Sequence, residues 1–123
     1  PPFTTEGRVA MAAEVLRANT QVAVDTFSGL TVDIAGRRGA KVIRRGLRAV
    51  TDSEYEFRLA LLNRKLKRHV VTVFLMTDYQ WLFTSSTIVK SAAQLGGEVR
   101  GLVPAPVYRA IRQKYGHPYP ING

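Results

Sequence analysis

The sequence has 123 residues, of which 46% are hydrophobic and 22% charged, and these values suit a single globular domain. It contains no cysteine, which excludes disulfides, thiolate zinc sites and cysteine nucleophiles. The net charge of +9 indicates either an anionic partner, which on composition alone is nucleic acid or the phosphates of a nucleotide, or a basic face that is only solvated. No apolar run approaches the roughly 18 residues needed to span a bilayer, and we expect a cytoplasmic protein with no membrane partner.

The first third of the chain alternates helical and extended patterns. A helix is predicted over residues 5–18, followed by a short strand over 21–27 that is rich in Val and Thr. A second helix is predicted over 30–38 and a second strand over 40–44. Gly46 then allows a tight turn, because glycine adopts backbone conformations that other residues avoid.

The remaining two thirds contain one clear strand and three helices. A helix is predicted from about residue 52 to 67, with a buried stripe at helical spacing formed by Tyr55, Leu59, Leu62 and Leu66. The nearly continuous apolar character of residues 69–77 predicts a parallel strand that is covered on both faces. Two more helices are predicted, over 86–95 and from about Pro104 onward.

The alternation of helices and strands predicts an α/β fold with a parallel sheet. Three strands are few for such a sheet, so we expect the first part of the fold to lie upstream of Pro1. We predict one domain over residues 1–115, followed by a flexible C-terminal tail over 116–123.

Three groups of residues are candidates for binding phosphates or a nucleotide. Arg45-Gly46-Leu47-Arg48 follows a predicted strand, and arginines offer planar, permanently charged donors to phosphate oxygens. Glu56 and Asn63 lie about two helical turns apart on one face, where they contact either a ribose or base, or solvent. The segment 81–87 places four hydroxyl residues at a helix start, which serve either as anion ligands or as a simple cap.

These three groups, in this order and spacing, resemble the phosphopantetheine adenylyltransferase family. The strongest match is the stretch IRRGLRAVTDSEYEFRLALLN over residues 43–63. Further matches are VFLM over 73–76 with Trp81 and the hydroxyl run after it, and Phe3-Thr4 before Arg8-Val9-Ala10. The resemblance covers about residues 3–107.

The resemblance implies a Rossmann-like parallel sheet flanked by helices, and an enzyme that transfers the adenylyl group of ATP to 4′-phosphopantetheine. The products of this reaction are dephospho-coenzyme A and pyrophosphate. Arg45 and the backbone at Thr31 would bind phosphopantetheine, and Ser86 would lie near the ATP phosphates. The resemblance implies ATP contacts for Gly46, Leu47, Arg48, Glu56, Trp81, Leu82, Phe83, Thr84, Ser85, Ser86 and Thr87.

The resemblance also implies properties that the residues themselves do not reveal. The family's catalytic histidine would precede Pro1, so no catalytic residue is assigned here, and we expect these 123 residues alone to be inactive. Mg²⁺ would accompany ATP without a protein metal site. The expected assembly is a homohexamer, with coenzyme A as a feedback ligand and no nucleic-acid partner. The alternatives are a non-catalytic fragment that binds ATP or coenzyme A, and a basic nucleic-acid-binding module.

Overall fold

The computed structural model describes residues 1–48, 50–82 and 84–116, so most of the predicted tail, including His117, lies outside the described residues. The elements are the helices α1 to α5 and the strands β1 and β2, in the order α1 (Thr5–Val15), α2 (Thr31–Arg37), β1 (Val42–Leu47), α3 (Val50–Leu66), β2 (Val71–Met76), a 3-10 helix (Tyr79–Trp81), α4 (Ser86–Gln94) and α5 (Ala105–Tyr115). Residues 27–83 cluster into one compact unit, which contains the sheet, and residues 1–26 and those from 84 onward form another. Among the described residues, no helix combines the length and apolar character needed to cross a membrane.

The sheet consists of β1 and β2, which pair in parallel from Val42 opposite Val71 to Leu47 opposite Met76. Parallel strands need a long crossover, and α3 supplies it between them. The predicted α/β class with a parallel sheet is therefore confirmed. The domain boundary predicted at residue 115 stays a prediction.

The strand predicted over residues 21–27 is wrong. The structure describes no regular element there, Val22 and Phe27 are half-exposed, and no described segment pairs with this stretch. Val and Thr favour strands because they pack well on a pleated surface beside a neighbouring strand. Without such a neighbour, the composition of this segment is not enough to make it a strand.

The core of the sheet-containing unit lies where α2 meets the strands. Val32 and Val70 are almost fully buried, Ala35 is buried beside them, and Ala40 and Ile43 pack against this cluster. Gly39 then ends α2 with a positive φ of 70°, a conformation that favours glycine. These contacts fix α2, and with it Thr31 at its first position, against the start of the sheet.

The stripe predicted for α3 is not buried among the described residues. Tyr55 is 67% exposed, and Leu62 and Leu66 are half-exposed, whereas Asn63 on a neighbouring face is only 7% exposed. The helix is therefore turned by about 90° from the predicted orientation, at about 100° per residue. The face that packs toward the sheet carries Leu59, Ala60 and Asn63, whereas Phe57 is half-exposed and its ring meets that of Phe74 edge-on at 5.2 Å.

Only one face of β2 is well covered among the described residues. Thr72 and Phe74 are partly buried on the side of α3, whereas Val71, Val73 and Leu75 on the opposite face are 39–50% exposed. The prediction of a strand covered on both faces is therefore wrong for the described part of the chain. Apolar composition indicates that a face is suited to burial, but it does not supply the element that buries it.

The other unit is a cluster of three helices. Its buried core contains residues from α4, α5 and the loop between them, namely Val89, Ala93, Val99 and Ile111. Glu14 of α1 pairs with Arg109 of α5 at 2.6 Å. The predicted starts of α1 and α4 are confirmed, because the hydroxyl groups of Thr4 and Ser85 accept hydrogen bonds from the first turns of these helices. The helix predicted from about residue 52, α3, begins earlier, at Val50.

Candidate functional site

An open pocket lies between the sheet, α3 and the start of α2. Ile43 and Arg45 alternate along β1 and therefore point to the same side, on which Thr72 of β2 also lies. The side chains that line this pocket are Thr31, Ile43, Arg45, Glu56, Leu59, Ala60, Asn63 and Thr72. The structure thus brings the two residues predicted to bind phosphopantetheine, Thr31 and Arg45, into one pocket.

Arg45 and Glu56 form a bidentate ion pair at this pocket. The Nε of Arg45 donates to Oε2 of Glu56 at 2.9 Å, and its Nη2 donates to Oε1 at 2.6 Å. The Glu56 side chain is 13% exposed and that of Arg45 is 43% exposed. Hydrogen bonding to Arg45 lowers the pKa of Glu56 below its usual range, and the same bond raises the pKa of Arg45. Both groups are therefore charged at neutral pH.

Acid is expected to remove the stabilisation that this ion pair provides. Because the pKa of Glu56 is lowered on folding, the pair stabilises the fold fully above the ordinary carboxyl value of 4.5, and this contribution is lost as the pH falls through the folded pKa. Urea unfolding at pH 7 should show Glu56→Gln to be less stable by at most about 1 kcal/mol, since Arg45 is partly solvated. This difference should shrink below pH 4.5.

The matched control for this experiment is Glu54→Gln. Glu54 lies on the same helix and pairs with Arg58 at 2.8 Å, but both side chains are more than 70% exposed. We expect a smaller change in the free energy of unfolding for this variant. A Glu56→Gln deficit that stayed constant down to pH 3 would contradict the assigned cause.

Asn63 is the buried polar residue of the pocket. Its side chain is 7% exposed on the packed face of α3 and makes no hydrogen bond to any described residue. Every described side-chain nitrogen or oxygen that is completely enclosed has a partner. The carboxamide of Asn63 therefore remains reachable from the pocket. The predicted Glu56–Asn63 face is thus directed inward, with Ala60 between the two polar residues.

Hydrogen bonds join the carboxyl ends of β1 and β2 beside the RGLR segment. The carbonyl oxygen of Leu47 accepts hydrogen bonds from the backbone N–H of Thr77 at 3.0 Å and from its hydroxyl at 2.9 Å. Arg48 follows directly and is exposed. Thr77 was not among the predicted site residues, and no sequence signal marked it, because threonine is common near strand ends.

Gly46 lies within β1, so the prediction that it forms a tight turn is wrong. Its φ is not positive, and a Cβ built on it would meet nothing within 4 Å. Neither the backbone conformation nor the packing of the described residues therefore requires glycine at this position. The open space beside its Cα is available to a ligand.

The other residues predicted to contact ATP fall in different parts of the chain. Trp81, in the 3-10 helix, is 40% exposed, and its backbone N–H donates to the backbone carbonyl of Asp78 at 2.9 Å; Leu82 follows it. Phe83 lies outside the described residues. Ser85 caps α4, and Ser86 and Thr87 are exposed in its first turn, in the three-helix unit. Thr84 precedes them in that unit.

Comparisons with known proteins identify the family. A family model described as cytidylyltransferase-like matches residues 1–92. A phosphopantetheine adenylyltransferase of Oleidesulfovibrio alaskensis is 64% identical over 123 residues, which are 100% of this chain and 72% of that protein. The chain belongs to the phosphopantetheine adenylyltransferase family. A relative of that name from Nitratidesulfovibrio vulgaris is 66% identical over 122 residues, covering 99% of this chain and 66% of its own length.

A more distant member of the phosphopantetheine adenylyltransferase family gives the same result. The protein from Syntrophus aciditrophicus is 51% identical over 113 residues, which are 92% of this chain and 68% of its own length. The chain thus spans 66–72% of the lengths of these relatives. The family assignment made from the RGLR, EYE and hydroxyl segments is confirmed, whereas the roles of individual site residues stay predictions.

Proposed function

We propose that the protein transfers the adenylyl group of ATP to 4′-phosphopantetheine, forming dephospho-coenzyme A and pyrophosphate. The observation that supports this best is the pocket in which the Arg45 guanidinium and the unpaired Asn63 carboxamide line the same space. Membership of the phosphopantetheine adenylyltransferase family supports the same reaction.

In this reaction a phosphate oxygen of phosphopantetheine forms a bond to the α-phosphorus of ATP. The bond between that phosphorus and the oxygen leading to the β-phosphorus breaks, and pyrophosphate leaves with the electron pair. Two polyanions must therefore approach each other, and catalysis depends on positioning and on neutralising charge. Arg45 in the pocket and Arg48 at the end of β1 are the cations that we assign to the acceptor phosphate and to ATP, respectively.

The pocket matches the chemistry of phosphopantetheine at two points. The substrate carries a phosphate at one end and amide groups along its arm. A guanidinium forms strong, planar hydrogen bonds to phosphate, and a carboxamide both donates to and accepts from an amide. Because the carboxamide of Asn63 is reachable from the pocket and makes no hydrogen bond to a described residue, an incoming amide can pair with it.

Replacing Asn63 with leucine is expected to weaken phosphopantetheine binding without unfolding the protein. Leucine has a similar size, and losing an unpaired buried carboxamide should leave the free energy of unfolding unchanged or slightly increased. The KM for phosphopantetheine should rise by about tenfold, as expected for a lost hydrogen bond of about 1.5 kcal/mol, with the KM for ATP nearly constant. Steady-state kinetics and urea unfolding measure the two effects. A large loss of stability would instead assign Asn63 a structural role.

Changing Gly46 to alanine is expected to leave the free energy of unfolding nearly unchanged while weakening the use of ATP. The added methyl group meets no described atom within 4 Å and the backbone is unstrained, so the free energy of unfolding should change by no more than about 0.5 kcal/mol. If ATP lies against this backbone, the methyl group should raise the KM for ATP several-fold. Kinetics with each substrate varied separately make the comparison, and an unchanged KM for ATP would remove Gly46 from the nucleotide site.

The function itself is tested by incubating the full-length protein, rather than these 123 residues alone, with ATP and 4′-phosphopantetheine and measuring both products. Dephospho-coenzyme A and pyrophosphate should appear in equal amounts. A parallel titration with a mixed-sequence oligonucleotide tests the nucleic-acid alternative. Tight, sequence-independent oligonucleotide binding without any response to ATP or phosphopantetheine would refute the proposal.

The proposal also includes the metal ion, the oligomeric state, feedback regulation and the cellular location. Among the described residues, no group of three or more His, Cys, Asp or Glu side chains offers a metal cage, so Mg²⁺ would be bound mainly by ATP phosphates and water. We also propose a homohexamer, feedback by coenzyme A and a cytoplasmic location. Light scattering that found a stable monomer at micromolar concentration would refute the hexamer.

A further inference from the structure

We propose that Glu56 is a positioning residue, which holds Arg45 so that the free edge of its guanidinium receives the phosphate of the acceptor substrate. This inference rests on the proposed function. It gives Glu56 a role toward phosphopantetheine, whereas the family resemblance implies a contact with ATP.

The proposal follows from which nitrogen atoms of Arg45 are engaged. A guanidinium carries five N–H groups in one plane, arranged along two edges that each match a pair of oxygens. Glu56 occupies the side edge, formed by Nε and Nη2. Among the described residues, nothing accepts from Nη1. The end edge, formed by Nη1 and the second N–H of Nη2, is therefore available to two oxygens of a phosphate.

The side chains of Glu56 and Arg45 differ in how firmly they are held, and their roles follow from this difference. Glu56 is anchored on the packed face of α3, with only 13% of its side chain exposed. Arg45 lies on a strand with 43% of its long side chain exposed, so without a partner it would sample several rotamers. The bidentate contact fixes the plane of the guanidinium before substrate binds. Such preorganisation reduces the ordering that binding must otherwise impose.

A purely electrostatic view predicts the opposite effect. The Glu56 carboxylate is a second anion close to the phosphate position, and its removal would strengthen phosphate binding if charge alone mattered. Positioning predicts that its removal weakens binding, and that the loss depends on the phosphate. These two expectations differ in sign, which makes a direct test possible.

The test is calorimetric titration in the absence of ATP, with 4′-phosphopantetheine and with phosphate-free pantetheine. Glu56→Gln should weaken phosphopantetheine binding about tenfold and leave pantetheine binding unchanged. The matched control Glu54→Gln, which removes an exposed pair with Arg58 on the same helix, should change neither affinity. In an Arg45→Ala background, Glu56→Gln should add no further loss, because its effect acts through Arg45.

Each of the other outcomes contradicts a specific part of the proposal. Equal or tighter phosphopantetheine binding by Glu56→Gln overturns the positioning role, and so does an equal loss for both ligands. If Glu56→Gln fails to fold, Glu56→Asp replaces it; its shorter side chain should keep one hydrogen bond and give an intermediate affinity for phosphopantetheine alone. If the unaltered protein binds neither ligand but binds ATP, the proposed acceptor substrate is wrong, and the positioning role falls with it.

Discussion

Arg45→Ala is expected to raise the KM for 4′-phosphopantetheine by about tenfold to a hundredfold, the largest kinetic effect that we expect from a single change in the pocket. Hydrogen bonds to a charged group contribute about 1.5–3 kcal/mol, and every 1.4 kcal/mol corresponds to a factor of ten. Arg45→Lys should recover only part of this loss, because an ammonium group cannot bind Glu56 and a phosphate through two separate planar edges.

Arg48→Ala is the control that shows whether the effect of Arg45→Ala is specific to phosphopantetheine. Arg48 follows β1 outside the pocket, and we expect its loss to raise the KM for ATP more than that for phosphopantetheine. Initial rates with one substrate varied at saturating levels of the other separate the two effects. Because Arg45→Ala leaves the Glu56 carboxylate without its partner, the double variant Arg45→Ala/Glu56→Gln controls for that added cost. Small, equal effects of both arginines on both substrates would refute the assigned roles.

Val70→Asp is expected to prevent stable folding. Val70 is 1% exposed and packs against Val32 and Ala35, so an aspartate here would bury a carboxylate without a partner. Such burial costs several kcal/mol, which is a large part of the 5–15 kcal/mol that stabilises a typical domain. Circular dichroism and urea unfolding should show lost cooperativity. Val22→Asp, the same change at a half-exposed position, should alter the free energy of unfolding by about 0.5 kcal/mol or less.

The milder change Val70→Ala connects this core to the pocket. We expect a loss of about 1–3 kcal/mol in the free energy of unfolding, from lost burial and a small cavity. Because Val70 supports α2, and α2 begins at Thr31 in the pocket, phosphopantetheine affinity should fall as well. A variant that lost stability but kept full affinity would show that Thr31 does not depend on this packing.

The sequence was informative wherever a local rule determines the structure. Helix starts followed from hydroxyl caps such as Ser85, and the parallel sheet followed from the alternation of elements. The RGLR and EYE segments identified the family, and two of their residues, Arg45 and Glu56, do meet in space. An ion pair across eleven positions depends on how α3 lies against β1, however, and no local spacing encodes that.

The errors have a common physical origin. Helical spacing predicts the apolar stripe of Tyr55, Leu62 and Leu66, and composition predicts the strand over 21–27, but both signals indicate only a tendency to be buried or paired. Whether a residue is buried depends on the element that packs against it, and that element is distant in sequence. The orientation of α3 was therefore the hardest feature to predict, although it is the feature that turns Asn63 toward the pocket.

The double hydrogen bond at the Leu47 carbonyl has a consequence for how the strand ends move. Parallel strands normally fray at their last residues, where the ladder runs out and backbone groups exchange partners with water. Here the Thr77 amide extends the ladder by one step, and the Thr77 hydroxyl adds a second bond to the same oxygen. We therefore expect little fraying at the last hydrogen-bonded residues, Leu47 and Thr77. Pairing of the strands therefore continues to Leu47 and Thr77, two positions beyond Arg45, which keeps Arg45 inside the hydrogen-bonded part of the sheet.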